Sequence, residues 1–267
     1  MAAKSGYDNQ KSVQKEFRMP RVFIILALVT CSLFGWMFYQ YTAQQKELHQ
    51  LKSYQTVLYE KAELIYEQAQ DWTQPIQLDV SDHRLHGDYK IMADFVLNDM
   101  IENAEARNQY LRQLKAIQWD QFLNIERLDK DRKQKFIATE QMLKQAHLLA
   151  AQYQQQTQRR EAESLEKAKH LSIQTRLRQQ LIKSLRESRE SDQSQALFAL
   201  ELKILNKADA LFALLKNNQW EKKNKTFMFY QDKAVKQFNT LYQEVLQLNA
   251  AIDKVKKQNR KAIEQRL

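Results

Sequence analysis

Apolar residues recur along most of the chain at alternating steps of three and four, the spacing that places side chains on one face of an α-helix. The first such run after residue 41 predicts a long helix with a heptad seam. The seam consists of Leu48, Leu51, Gln55, Leu58, Ala62, Ile65, Ala69 and Trp72. Pro75 ends this pattern, and the mostly polar residues 75–87 predict a loop.

Four further helices are predicted after this loop. The second covers residues 88–128, and the third covers residues 129–190 with a bend expected in the polar stretch 152–160. A fourth, amphipathic helix covers residues 197–215. The last helix starts at residue 220 and keeps a heptad spacing almost to the end of the sequence, which predicts packing against another helix. Its seam consists of Trp220, Asn224, Phe227, Gln231, Ala234, Phe238, Leu241, Val245, Leu248, Ile252, Val255, Asn259 and Ala262.

The composition favours the same all-α class. The 267 residues include three glycines and two prolines, and neither type occurs after Gly87. Tight β-turns draw heavily on both residue types, so this shortage argues against sandwiches, barrels, Rossmann sheets and P-loop folds. We expect residues 88–267 to form an elongated antiparallel helical bundle. The alternative is a dimeric coiled coil, in which the same stripes are buried against a second chain.

Residues 22–39 contain no charged side chain and are followed by Gln40 and Tyr41. A membrane-spanning helix needs about 20 mostly apolar residues, so residues 22–41 predict a single transmembrane helix. The apolar run exceeds the core of a cleaved signal peptide, which indicates an uncleaved signal anchor. This anchor is expected to continue into a helical stalk, residues 42–74. Processing as a lipoprotein at Cys31 is the alternative, and Thr30 fits that motif poorly.

Basic residues flank the apolar segment unequally. The preceding segment, residues 1–21, holds Lys4, Lys11, Lys15, Arg18 and Arg21, and the following twenty residues hold Lys46, Lys52 and Lys61. The positive-inside rule therefore predicts a short cytoplasmic tail over residues 1–21 and places the bulk of the chain in the periplasm. The predicted location is the cell (inner) membrane, crossed once.

The net charge of +10 is concentrated in residues 1–21 and 219–267. The last helix ends with the basic residues Lys254, Lys256, Lys257, Arg260, Lys261 and Arg266. We interpret them as a solvated face with cations that suit a helix C-terminus, although such a helix can also contact anionic lipid. Phe229 and Tyr230 lie among lysines as in a nucleic-acid surface, but Trp220 and Phe227 belong to the predicted seam. No nucleic-acid partner is expected.

The loop and the start of the second helix hold the candidates for a metal site. These are Asp79, Asp82, His83, His86 and Asp88. Carboxylates beside His-x-x-His can bind a divalent cation, but a polar turn explains the same residues, and we favour the turn. The chain has one cysteine and shows no nucleophile elbow, Walker loop or dinucleotide-binding motif. We therefore expect no catalytic residue, no cofactor and no enzymatic activity.

These patterns together predict a noncatalytic, single-pass, membrane-anchored helical protein. It would act as a structural, tethering or protein-interaction module on the outer side of the membrane, with a protein partner or self-association through its helices. One alternative is a sensor or signalling accessory whose bundle responds to a ligand. The other is a cytoplasm-facing protein whose basic last helix binds anionic lipid or nucleic acid.

Overall fold

The computed structural model describes residues 45–190 and 193–264, and these residues form a predominantly helical fold. Seven α-helices and one β-hairpin lie within those ranges. The helices are α1 (Gln45–Gln70), α2 (Gly87–Ala116), α3 (Ile125–Arg132), α4 (Ile137–Lys169), α5 (Thr175–Glu190), α6 (Gln193–Asn217) and α7 (Asp232–Glu264), and the strands are β1 (Trp220–Lys223) and β2 (Thr226–Phe229). The all-α class predicted from the sequence is confirmed at this level.

The predicted seam of α1 is buried, but α1 is not a separate stalk. Its buried face is wider than a heptad seam because Tyr54 and Val57 are also fully buried. This face packs with α2, α5 and the end of α4 in a first hydrophobic core. The residues of this core include Leu58, Ile65, Met92, Leu97, Met100, Ala168, Leu177 and Leu181.

The segment between α1 and α2 returns along α1 to its beginning. The backbone N–H of Gln77 donates to Gln68 Oε1 (2.8 Å) near the end of α1, and that of His86 donates to Gln50 Oε1 (3.3 Å) near its start. Gly87 then turns the chain into α2 with a φ of +55°, a conformation that glycine adopts without a steric cost.

Because of this return, α1 and α2 run parallel, whereas the sequence had predicted α1 as a stalk outside the antiparallel bundle. Near their starts the rings of Tyr54 and Tyr89 lie 5.7 Å apart. Near their ends Arg112 Nη1 donates to the carbonyl oxygen of Trp72 (2.8 Å). The other long neighbours are antiparallel. For α2 and α4 this follows from the contacts Tyr110–Tyr153 and Asp88–Gln174, and for α4 and α6 from His147–Asp209 and Tyr153–Phe198.

The predicted helix 129–190 was wrong as one element, because the chain breaks between α3 and α4. Lys135 and Phe136 adopt left-handed φ values of +58° and +61°. The buried carboxylate of Asp131 caps the new helix by accepting hydrogen bonds from the backbone N–H groups of Ala138 (3.1 Å) and Thr139 (2.8 Å). It also accepts from the Thr139 hydroxyl (2.6 Å). These bonds, together with the burial of Phe136, compensate for the strained backbone.

The polar stretch 152–160, where a bend was expected, does not interrupt α4, which is helical through all of these residues. Glutamine and arginine are good helix formers, and most of the polar side chains in this stretch face solvent. The helix instead ends at Lys169, and residues 170–174 lead into α5. The predicted helix 88–128 likewise ends earlier, at Ala116, and is followed by a 3₁₀ turn and α3.

A second hydrophobic core lies at the other end of α2 and α4. It joins these two helices to α3, α6 and the β-hairpin. Its residues include Tyr110, Leu128, Phe136, Leu143, Ala146, Leu205, Ala208, Phe212, Leu215 and Trp220. Because α2 and α4 contribute to both cores, they form the frame that the other elements pack against.

The last predicted helix begins late, because residues 220–229 form an antiparallel hairpin in which Trp220 pairs with Phe229. Asn224 and Lys225 make its turn with φ values of +49° and +59°. A two-residue hairpin turn of the I′ type requires positive φ at both central positions, and asparagine tolerates this well. The heptad prediction was therefore wrong up to residue 231. From Ala234 to Val255 its positions are the more buried face of α7, which packs on α6.

Within the described ranges, no helix is both long and apolar enough to cross a bilayer. The predicted transmembrane segment, residues 22–41, lies outside the described residues, as does the cytoplasmic tail predicted over residues 1–21.

The cap of α4 leads to a test of stability. Replacing Asp131 by alanine leaves two backbone N–H groups and the Thr139 hydroxyl without their acceptor, so we expect a loss of about 2–3 kcal/mol in the free energy of unfolding. Urea unfolding of the full chain in mild detergent, followed by circular dichroism, measures this. Asp120→Ala, which removes an exposed pair with Lys115, should cost less than about 0.5 kcal/mol. Equal losses in the two variants would contradict the capping role.

Candidate interaction surface

A buried ion pair holds α6 against α2. Arg107 Nη1 donates to Glu201 Oε2 (2.8 Å), and Arg107 Nη2 donates to the other carboxylate oxygen. The guanidinium lies 5.3 Å from the ring centre of Tyr110 and 5.6 Å from that of Tyr153. These two rings are stacked on each other with their centres 4.8 Å apart. Phe198 of α6 makes T-shaped contacts with both rings. The cluster therefore aligns three helices at one point.

Burial and charge shift the ionisation of this cluster. Burial raises the pKa of the Tyr110 phenol, and the nearby Glu201 carboxylate raises it further. Burial by itself lowers the pKa of the Arg107 guanidinium, but attraction to Glu201 more than offsets it, so this pKa lies above its ordinary value. The Arg107 guanidinium therefore stays charged and the Tyr110 phenol stays neutral throughout the physiological range.

A second arginine anchors the hairpin. Trp220 is buried, and its indole Nε1 donates to the carbonyl oxygen of Leu215 at the end of α6 (2.9 Å). The Arg132 guanidinium lies 4.4 Å from the centre of the indole ring and donates to the Trp220 carbonyl oxygen. Asp129 orients this guanidinium by accepting a 2.7 Å hydrogen bond. The hairpin is thus fixed to both α3 and α6.

An unbroken series of aromatic contacts connects the hairpin to α7. Trp220 packs against Phe227 (5.1 Å between ring centres), and Phe227 and Phe229 both pack against Phe238 of α7 (5.2 and 5.4 Å). Phe238 is followed one turn later by the parallel ring of Tyr242 (6.3 Å). The first half of α7 is therefore held by the hairpin as well as by α6.

One side of α7 leaves apolar side chains uncovered. Val235, Tyr242 and Leu246 are 36%, 41% and 43% exposed, and we call these three residues the apolar stripe. Their spacings of seven and four place them on one side of the helix. The hairpin adds two exposed apolar side chains, Met228 and Tyr230. Scattered single apolar residues are normal on a surface, whereas a row along one helix is a candidate for a contact surface.

An open groove of about 710 Å³ separates α6 and α7 beside their contact. Its lining includes Ala210, Leu214, Lys236 and Thr240, and an ion pair between Lys207 and Glu244 (2.6 Å) crosses it. The groove is wide open to solvent and its carboxylate is already paired. Its geometry therefore suits a contact surface better than a reaction centre.

The carboxylates proposed as metal ligands serve as hydrogen-bond acceptors in turns. Asp82 accepts from the backbone N–H and the Nε of Arg84 (both 2.9 Å), and hydrogen bonding to this guanidinium holds the pKa of Asp82 well below its usual range. Asp79 accepts from the backbone N–H of Ser81 (2.9 Å). These bonds are those of short polar turns.

The other metal candidates are spread apart. Asp88 accepts from the backbone N–H of Gln174 (2.9 Å), while His83 and His86 are exposed. Over residues 45–190 and 193–264, no three histidine, cysteine, aspartate or glutamate side chains form a group that could hold a metal ion. The structure thus does not bring the five predicted candidates together.

The histidines on the helices each lie at a different place. His147 contacts Asp209 of α6 (2.8 Å), His170 contacts Glu166 one turn earlier in α4 (3.0 Å), and His49 is exposed on α1. His147 and His170 thus have carboxylate partners, and the three histidines lie at three separate places on the helices.

Sequence reasoning missed both arginines, the buried Arg107 and the partly exposed Arg132. Arg107 continues the buried positions 100, 104 and 111 of α2, and a charge inside an apolar stripe is the signal that could have revealed it. The sequence carried no comparable signal for Arg132, because its partner Trp220 had been assigned to a helix.

The chain has no match among protein-family models, curated proteins or solved structures. Its own residues and their geometry are therefore what bears on function.

The neutral phenol of Tyr110 leads to a pH-dependent stability. Its pKa is raised in the folded state, so the stability that it contributes is complete below the unfolded-state pKa of about 10 and is lost as the pH rises further. We expect the Tyr110→Phe variant to lose less unfolding free energy than the wild type between about pH 9.5 and pH 11. Urea unfolding across this range measures it, with Tyr242→Phe as an exposed control. Identical slopes for wild type and Tyr110→Phe would show that Tyr110 is not responsible.

Proposed function

We propose that this protein is a noncatalytic, membrane-anchored helical module that binds another protein through the apolar stripe of α7. The observation that carries this proposal is the one-sided packing of α7. This helix has 33 residues and packs on α6 and on the hairpin, while Val235, Tyr242 and Leu246 remain exposed on another side. The aromatic contacts from Trp220 to Tyr242 hold the stripe in place before any partner arrives, which lowers the entropy cost of binding.

The spacing of the stripe indicates the kind of partner. Apolar side chains seven and four residues apart match the contact positions of a helix that packs along α7. Helix α7 carries seven basic and four acidic side chains, so two copies of α7 repel each other. A helix of a different protein, with acidic residues beside its apolar face, is the better fit.

The anchor is part of the same proposal and is supported by the sequence. Residues 22–39 are uncharged, and α1 begins at Gln45, shortly after this segment. The excess of basic residues before the segment favours a cytoplasmic N-terminus. The helical domain would then lie on the periplasmic side of the cell (inner) membrane.

A reporter fusion tests the anchor and its orientation. An enzyme that is active only outside the cytoplasm is fused after Leu267, and we expect it to be active in cells. Deleting residues 22–39 from the same fusion should abolish the activity, because the domain then stays in the cytoplasm. A silent full-length fusion, present at normal protein level, would contradict the proposed orientation.

Photo-crosslinking tests the surface. A photoreactive amino acid at position 242 or 246 should give a crosslinked product in cells, whereas the same amino acid at Gln247, exposed on another side of α7, should give little. Leu246→Lys should lower the yield at position 242 about tenfold, as expected for a central interface residue. A product of twice the chain mass would indicate self-association instead. Equal yields at positions 242 and 247 would contradict the role of the stripe.

A further inference from the structure

The directions of the helices decide where the basic end of α7 lies. Asp209 of α6 contacts His147 of α4, and Lys207 of α6 contacts Glu244 of α7 (2.6 Å). Towards the start of α6, Phe198 meets Tyr153, further along α4. Helix α6 is therefore antiparallel to α4. Helix α7 is antiparallel to α6, because Lys207 contacts Glu244 further along α7, whereas the end of α6 lies near the start of α7 through the contacts Leu215–Trp220, Trp220–Phe227 and Phe227–Phe238. It follows that α4 and α7 point the same way.

The end of α4 lies beside the beginning of α1. The backbone N–H of Gln174, just after α4, donates to Asp88 at the start of α2 (2.9 Å). The start of α2 in turn contacts the start of α1, through His86 with Gln50 and Tyr89 with Tyr54. The C-terminal end of α7 therefore points to the end of the molecule from which α1 leads back towards residues 22–41.

Helix length shows how far α7 reaches. Glu244 lies at nearly the level of His147, since both contact the same turn of α6. At a rise of 1.5 Å per residue, Lys257 lies roughly 20 Å and Glu264 roughly 30 Å further along, while the end of α4 at Lys169 lies roughly 33 Å further along. The last turns of α7 thus approach the same level as the start of α1.

These last turns are strongly basic. Lys254 and Lys257 are exposed, and the sequence adds Lys256, Arg260 and Lys261 to the same part of the helix, against the acidic residues Asp253 and Glu264. Near the end of α4, the Glu166 carboxylate is already paired with Lys169 (2.7 Å) and His170 (3.0 Å).

We propose that this basic end of α7 binds the anionic headgroups of the membrane in which the chain is anchored. The proposal rests on the proposed anchor at residues 22–41 and extends it with a second contact to the same bilayer. Such a contact is favoured because headgroup attraction acts within about one Debye length, about 10 Å at 0.1 M salt, and the structure brings the lysines towards that zone. The domain would then be held upright on the membrane by two contacts. One is the transmembrane segment, which is covalently continuous with α1, and the other is the electrostatic contact of α7.

Fluorescence quenching by labelled lipids tests this contact. The full chain, with Cys31→Ala, carries a fluorophore on a cysteine introduced at Gln258 and is placed in nanodiscs that contain headgroup-labelled quencher lipid. One set of nanodiscs is wholly zwitterionic, and the other contains anionic phosphatidylglycerol. We expect stronger quenching in the anionic nanodiscs, reversed by about 0.5 M salt, because the Debye length then falls to a few Å. A fluorophore at Met228, on the hairpin at the opposite end of α7, should respond to neither change.

Charge reversal supplies the matched comparison. Each lysine at an anionic surface changes the equilibrium constant about fivefold, so Lys254→Glu with Lys257→Glu should lower the docked fraction to the level seen in zwitterionic nanodiscs. The control is Lys233→Glu with Lys236→Glu, which changes the charge by the same amount on exposed residues at the other end of α7. Equal loss in both double variants would overturn the proposal, because the effect would then be that of total charge.

The remaining outcomes separate this proposal from the anchor. Retention of the chain in membranes after alkaline carbonate extraction, with equal quenching in both nanodiscs, would keep the anchor and overturn the lipid contact. Extraction by carbonate together with a quenching difference would overturn the anchor and keep the lipid contact. Tighter binding of a labelled duplex oligonucleotide than of anionic nanodiscs, lost with Lys254→Glu and Lys257→Glu, would assign the basic end to nucleic acid instead.

Discussion

The buried ion pair between Arg107 and Glu201 is the interaction on which the placement of α6 and α7 depends. A buried pair of charges gains little over an apolar pair, but either charge left alone costs several kcal/mol. Any register of α6 that moves Glu201 away from Arg107 is therefore strongly disfavoured. The hairpin and α7 follow α6 in the chain and pack on it, so the position of the apolar stripe depends on this ion pair together with the Arg132–Trp220 contact.

The two hydrophobic cores add a second constraint, because α2 and α4 pass through both. The segment before α2 returns along α1, so the starts of α1 and α2 and the end of α4 meet at one end of the molecule. The hairpin lies at the other end. Helix α7 connects these regions, with aromatic contacts at its beginning and lysines at its end. The two proposed contacts, with a protein partner and with lipid, thus occupy different parts of one helix.

Features that depend on helical periodicity alone were predicted correctly, whereas features that depend on contacts with other elements were missed. The seam of α1 and the positions from Ala234 to Val255 were correct, because helical periodicity is a local property of the chain. The α3–α4 break was missed because Asp131 caps α4 from a neighbouring turn and no glycine marks the left-handed residues. The hairpin was missed because Asn224 and Lys225 replace the usual Asn-Gly, and because Trp220 and Phe227 happen to fit a heptad. The exposed stripe of the candidate surface was not predicted, because the periodicity of α7 indicates its buried seam but not whether a further neighbour covers its other sides.

The sequence by itself determined the helical class, the faces that become buried and the concentration of positive charge in the last helix. These follow from residue type and spacing alone. Only the tertiary structure decided that α1 and α2 are parallel, that α7 has an uncovered side, and that its basic end points to the start of α1. Helix direction and coverage depend on contacts between residues far apart in the chain, such as His86 with Gln50 and Lys207 with Glu244. Periodicity within a helix does not predict such contacts, because a neighbouring helix running in either direction can bury the same stripe.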